Sequence, residues 1–458
     1  MHPARESRTL SSHERYDLVT YSLYFMSTNW QEHYASHTTT AHEAVRTAIK
    51  SGDYLVFGHA VAAPAQIARA LYDERELFND LKVFHMLYFG EPWHLRPEMK
   101  GHLHPILNFL DKNSRPAYAE RRVDFLPCYF HEVPDLLRTG DYPVDVAIVQ
   151  VSPPNEEGYC SFGVSCDYTK CAAEVAPIVI AEVNKQMPFI GGDNLIHVTK
   201  LDYIVPTDEP LVEIPTAKIG PVEQRIGEIC AELINDGDTL QIGIGAIPDA
   251  VLQSLGDRRD LGLHTEMFTD GVMHMIRSGN ITGARKTLHP YKVASSIIMG
   301  SRELYDFIDG NEMIEMYPVD HMNDPYVVGQ NDNMVSINSC LEIDLCGQVA
   351  SEAIGLDQFS GTGGQVDYLR GVKRSKNGRS ILAFTSTAKG GTRSRIVPTL
   401  SAGATVTTGR NDVDYVATEY GAVRLKGLTL RERAIALASI AHPDHRPALL
   451  EAIASRFG

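Results

Sequence analysis

Two stretches of the chain carry the same order of apolar and polar positions. TTTAHEAVRTAIKSGDYLVFGHAVAAPAQIARAL lies near the start, and GPVEQRIGEICAELINDGDTLQIGIGAIPDAVLQSL lies near the middle. Each reads as an amphipathic helix, a Gly-Asp turn, a short apolar strand, a glycine-containing loop, a proline and a second helix. Gly58 follows Gly52 at the same offset at which Gly243 follows Gly237, and Pro64 and Pro248 differ in offset by one position. A single echo is not a repeat array, but it predicts two halves of related α/β architecture. Where such a strand gives way to a helix, free N–H groups converge, and open α/β sheets bind ligands there.

Further apolar runs at 144–151, 177–183 and 291–300 are nearly continuous, as in strands covered on both faces. The fold class predicted is α/β: two related open domains with mostly parallel sheets and a site at their junction. Residues 365–387, QVDYLRGVKRSKNGRSILAFTST, predict two strands about an Asn377-Gly378 hairpin. The two prolines and the glycine of VEIPTAKIGPVEQ place a boundary near Pro215. The expected organisation is a polar extension over 1–35, a first domain over 36–215 and a second over 216–458.

Composition narrows the picture. The chain of 458 residues is 43% hydrophobic and 22% charged, enough for a sizeable core. A net charge of -16 argues against nucleic-acid binding, though a local cleft in an acidic protein still accepts an anion. No apolar run reaches membrane-spanning length, and MHPARESRTLSSHERYD has no signal-peptide core, so a cytoplasmic protein without membrane partners is expected. The seven cysteines are scattered, and Cys160, Cys166 and Cys171 lack C-x-x-C spacing, so they read as thiols rather than metal ligands.

Three segments could carry chemistry. Gln241-Ile-Gly-Ile-Gly-Ala-Ile-Pro248 is a glycine loop at a strand end, either an anion or thioester-oxygen cradle or a tight turn. It is not the dinucleotide fingerprint, because proline replaces the third glycine. In His264-Thr-Glu-Met-Phe-Thr-Asp-Gly271, Glu266 sits among apolar neighbours, where a carboxylate must be paired, hydrogen-bonded or raised in pKa. By itself that is compatible with a structural role as well as a catalytic one. His264 reads as backbone-satisfied and Asp270 as a cap. Ser360-Gly-Thr-Gly-Gly-Gln365 is a further loop at which backbone could approach a ligand. The basic run after it, Lys373, Arg374, Lys376 and Arg379, reads as a solvated hairpin tip before it reads as a phosphate contact.

Taken together and in order, QIGIGAIPDAV, LGLHTEMFTDGV, SINSCLEIDLCGQVASE and SGTGGQVDY resemble the acetyl-CoA hydrolase/transferase family. The likeness is strongest to its 4-hydroxybutyrate and butyryl-CoA:acetate CoA-transferase branch. PPNEEGYCSFGVS and SGDYLVFG carry it into the first half, from about residue 40 onward. The resemblance implies a nucleophilic glutamate at Glu266. It also implies backbone contacts to CoA at Gln241, Ile242, Gly243, Ile244, Gly245, Leu341 and Gly364, with oxyanion donors at Ile242–Gly243 and Gly363–Gly364. It implies covalent, ping-pong transfer of CoA from a short-chain acyl-CoA, butyryl-CoA or 4-hydroxybutyryl-CoA favoured, to acetate. CoA would be a substrate, with no permanently bound cofactor and no metal, and the protein a homo-oligomer. Met267, Phe268 and residues 57–63 are expected in the acyl pocket. An acyl-CoA hydrolase using the same glutamate remains an alternative. A non-catalytic acyl-CoA sensor is a second, although a sensor has no need of the nucleophile.

Overall fold

The computed structural model describes residues 30–458, so most of the extension expected over 1–35 lies outside the described residues. The echo in the sequence becomes two sheets of one topology. In the first half the strands, in chain order, are Tyr54–Phe57, Leu81–His85, Leu103–Leu107, Asp124–Phe125, Val146–Val151, Ile178–Asn184 and Tyr203–Thr207. In the second half they are Thr239–Ile242, Gly262–Phe268, Val293–Ile298, Ile314–Met316, Met334–Asn338, Arg379–Ala383 and Tyr415–Thr418. In both sheets the first strand lies in the middle, the second to fourth run outward on one side, and the fifth to seventh on the other. These strands pair in parallel throughout.

The second sheet has two additional edges. Gly421–Arg424 pairs antiparallel with the seventh strand, and Gly191–Gly192 crosses from the first half to pair with the fourth. The runs expected at 144–151, 177–183 and 291–300 are central strands whose side chains are almost all buried. Segment 208–220, between the last strand of the first sheet and the helix Pro221–Ala231, is neither helix nor strand.

The hairpin expected over 365–387 does not form. Gln365–Val372 is a helix, Arg379–Ala383 is a strand paired in parallel on both sides, and Thr387 only opens the short strand Thr387–Ala388, which pairs with Arg393–Ser394. Asn377 does adopt the left-handed conformation, φ 59°, but a helix-to-strand turn also needs one such residue. The helix is buried on nearly all sides, so its periodicity is masked by apolar and small residues around its circumference. Lys373, Arg374, Lys376 and Arg379 therefore sit at the start of the sixth strand, the end remote from the glycine loops. Lys373 pairs with Asp412 and Arg379 with Asp238, while Arg374 lies 4.1 Å from the Tyr326 ring.

Candidate active site at the strand ends of the second sheet

The crevice of an open parallel sheet forms where strand order reverses, at the carboxyl ends of strands leaving in opposite directions. In the second half this point lies between the first and fifth strands. It is marked by a side-chain clasp, Asn338 Nδ2 donating to Gln241 Oε1 at 2.9 Å. Beyond Gln241 the chain enters the loop Ile242 to Gly245. Gly245 has φ 111°, a conformation L side chains rarely adopt, and it caps the helix Ala246–Gln253.

The first and second strands pair only at Thr239–Gly262 and Leu240–Leu263. Past that point Thr265 Oγ1 stands between them, accepting from the Ile242 N–H at 3.1 Å and donating to the Ile242 carbonyl at 2.9 Å. The continuing register sets the Gly243 loop beside Glu266. The Ile242 N–H expected as an oxyanion donor is thus spent on Thr265. The N–H groups of Gly243, Ile244 and Gly245 donate no hydrogen bond among the described residues. Leu341, three residues beyond Asn338, also spends its N–H, on the Ala350 carbonyl at 2.9 Å.

Glu266 is half-buried near the end of the second strand. Its Oε2 accepts from Asn323 Nδ2 at 2.8 Å, and its carboxylate also accepts from the Gly364 N–H. Gly364 approaches so closely that a Cβ there would collide with Glu266 Oε2 and Asn323 Nδ2. Burial pushes the Glu266 carboxyl up to about 7; the nearby Asp367 and Asp167 charges add to this, while Asn323 and the Gly364 N–H oppose it. Oε1 accepts no side-chain hydrogen bond among the described residues, which leaves it available for attack.

A buried polar chain holds this arrangement. Asn323 is fully buried, and its amide also serves Asp367, which accepts from the His131 N–H and bonds His131 Nδ1 at 2.8 Å. Asp167, from the first half, bonds His59 Nδ1 at 3.0 Å and Ser165 Oγ. Burial works to raise its pKa, but His59, Ser165 and the Tyr168 N–H outweigh that and hold it below the usual range. First-half residues also brace the 359–364 loop. Arg115 donates to the Phe359 carbonyl at 2.6 Å, and Gly363, at φ 55°, lies against Phe109.

The structure thus brings Glu266, Gly243, Ile244, Gly245, Gly363 and Gly364 to one junction, with Gln241 clasping its edge. His264 is buried and backbone-satisfied, its Nε2 2.9 Å from the Met322 carbonyl, and Asp270 begins the helix Asp270–Arg277. Phe57 and Phe268 do not line a pocket; both are fully buried in apolar clusters. Sequence reasoning missed Asn323, Asp367, His131, Asp167, His59 and Thr265. Thr265 and Asp367 lie inside the quoted segments but carry no local mark of a role, and only the finished fold gathers these six residues.

Known proteins resemble this chain along most of its length. The acetyl-CoA hydrolase/transferase N-terminal domain matches residues 25–215, and the C-terminal domain of the same family matches residues 300–453. The solved structure of a 4-hydroxybutyrate CoA-transferase from Porphyromonas gingivalis is 58% identical with a TM-score of 0.83, covering 93% of this chain and 100% of that one. A succinyl-CoA:cyclohexane-1-carboxylate CoA transferase of Geobacter metallireducens is 45% identical, over 88% of this chain and 92% of that protein. A butyryl-CoA:acetate CoA-transferase of Anaerostipes caccae is 34% identical, over 92% of this chain and 97% of that protein. Among the described residues no helix is long and apolar enough to cross a membrane.

Proposed function

The chain belongs to the acetyl-CoA hydrolase/transferase family and is a CoA-transferase, and we propose that Glu266 carries CoA between short-chain acids as a glutamyl thioester. The observation behind this reading is a half-buried carboxylate whose Oε2 is anchored by Asn323, seated tightly against Gly364 and lying beside unspent loop N–H groups. Glu266 Oε1 attacks the thioester carbonyl, the C–S bond breaks, and a mixed anhydride and CoA thiolate result. The thiolate then attacks the glutamyl carbonyl, expelling the donor acid as its carboxylate and leaving glutamyl-CoA. An acceptor carboxylate runs the same steps in reverse. Each addition places charge on an oxygen, which the unspent N–H groups of Gly243 and Gly363 would stabilise. CoA enters as a substrate, and the sequence of steps calls for neither a metal nor a resident cofactor.

Butyryl-CoA and 4-hydroxybutyryl-CoA are the favoured donors and acetate the acceptor, in line with two of the three relatives. Apolar pockets discriminate a methylene by only about 1–3 kcal/mol, so a donor panel decides. Four-carbon monocarboxylic donors should give acetyl-CoA at rates well above those from succinyl-CoA. A sharp preference for succinyl-CoA would overturn the acyl assignment. In the same assay, CoA release without added acetate should be slow. Rapid release independent of acid would replace transfer with hydrolysis.

Attack requires ionised Glu266, so kcat/KM for acyl-CoA should rise with pH through about 7 and then level off. Below that point it should fall about tenfold per pH unit. A flat profile from pH 5.5 to 8 would show that the carboxylate does not titrate where its burial places it.

A further inference from the structure

The two halves share a topology but differ at one position that matters for charge. In the first sheet the first strand ends at Phe57, opposite Ile148, and in the second it ends at Ile242, opposite Ile337. Ile148 in turn faces Ile180, and Ile337 faces Ile381. Two residues further along the sixth strand, the first half has Glu182 and the second has Ala383. Glu182 is buried, and its Oε1 accepts from the Ile67 N–H at 2.7 Å, in the first turn of the helix Ala65–Asp73. Gln66 donates a backbone bond as well. In the first half, therefore, a carboxylate of the protein itself occupies the anion position at the strand ends, and the Gly58 N–H is spent on the Ile148 carbonyl.

In the second half the methyl group of Ala383 leaves a cavity of about 350 Å³, also lined by Gly243, Ile247, Asn338, Thr385, Arg395 and Glu223. The Gly243 N–H, the counterpart of Gly58, has no backbone partner among the described residues. Pro248 at the helix start has no N–H to offer, and a cation stands nearby instead. Arg395 is half-buried, and among the described residues its guanidinium makes no hydrogen bond, ion pair or aromatic stack. On the opposite side of Ile244 a second cavity is lined by Asp249 and Asp270. Of the two clefts flanking the loop beside Glu266, one presents the free Arg395 cation together with Glu223, whose carboxylate accepts from the Gly220 N–H at 3.1 Å, and the other presents two carboxylates and no cation.

We propose that the Arg395 cleft receives the phosphate-bearing tail of CoA, with Arg395 as its charge partner. The position that Glu182 fills in the first half would then be taken by a ligand phosphate in the second. The acidic cavity would repel that tail, so the two clefts set the direction in which CoA lies across the loop. This inference rests on the CoA-transferase reading of the same site.

The test compares butyryl-CoA with butyryl-pantetheine, which has the same thioester but no phosphate, using the full chain with acetate as acceptor. For Arg395→Gln, kcat/KM for butyryl-CoA should fall about ten- to a hundredfold, as expected for losing a hydrogen-bonded charge pair. The value for butyryl-pantetheine should stay within about twofold of the parent protein, and Arg395→Lys should recover part of the loss. Equal losses on both substrates, or no loss on butyryl-CoA, would overturn the assignment. A parent protein that fails to transfer CoA at all would instead refute the reading on which it rests.

Discussion

Glu266→Ala should lower transfer from acyl-CoA to acetate by roughly ten-thousand-fold or more, the scale expected when a covalent nucleophile is removed from a site whose other parts remain. CoA itself should still bind with a dissociation constant within a few-fold of the parent, because the loop and cleft that meet it lie on other strands. Mass spectrometry gives an independent readout. Incubated with acyl-CoA and no acceptor, the parent protein should gain a covalent CoA adduct on the peptide containing Glu266, and the variant should not. Near-normal turnover or a persistent adduct would place the nucleophile elsewhere. Stability should move the opposite way. Because burial holds the native carboxyl at about 7, above its usual 4.5, the folded state binds the proton more tightly than the unfolded chain. Stability therefore falls as pH rises from 4.5 to 7, and ionised Glu266 costs the fold about 3 kcal/mol above that window. Glu266→Gln should raise Tm more at pH 8 than at pH 5; an equal shift at both would show that Glu266 is not strained by its charge.

Much of this architecture is legible in the sequence. The Gly-Asp turn, apolar strand and proline-started helix occur twice because each half builds the same central strand, and the shared strand order follows from that. The glycine loop at 241–245 was readable because only glycine tolerates the φ of Gly245. Reading failed where one residue type fits two turns. Asn377-Gly378 suggested a hairpin, yet Asn377 serves the turn into a parallel strand equally well. It failed again where chemistry is assembled across distance. Asn323 lies 57 residues from Glu266, just past the short helix Val319–Met322, and no local pattern distinguishes it from a capping asparagine. The expected Ile242 donor was lost to Thr265, whose hydroxyl bridges the two strands only because they separate there. Apolar periodicity reports which face is buried, whereas hydrogen-bond partnership at a site depends on third-dimension contacts that periodicity does not encode.

Gly364→Ala should be the most damaging substitution that leaves every proposed reacting group in place. Its backbone, at φ -88° and ψ 3°, suits alanine, so no conformational strain is added. The added methyl group instead meets Glu266 Oε2 and Asn323 Nδ2 directly. The loop cannot retreat freely, because Gly361 already packs against the Asn108 carbonyl and Phe109 on the other side. The carboxylate must yield, and displacing a reacting group by about 1 Å costs roughly a hundredfold. Losing the Asn323 and Gly364 hydrogen bonds also removes the two contacts that favour the charged form. The rise in kcat/KM with pH should therefore move upward from about 7, while Tm changes little. Gly363→Ala separates the two causes. Its added methyl would find Phe109 at an ordinary 3.6 Å, but its φ of 55° penalises any side chain. That variant should lose about 1 kcal/mol of stability and keep the parent's pH profile. If Gly364→Ala instead kept both rate and profile, the tight seat between Gly364, Asn323 and Glu266 would have no part in positioning the nucleophile.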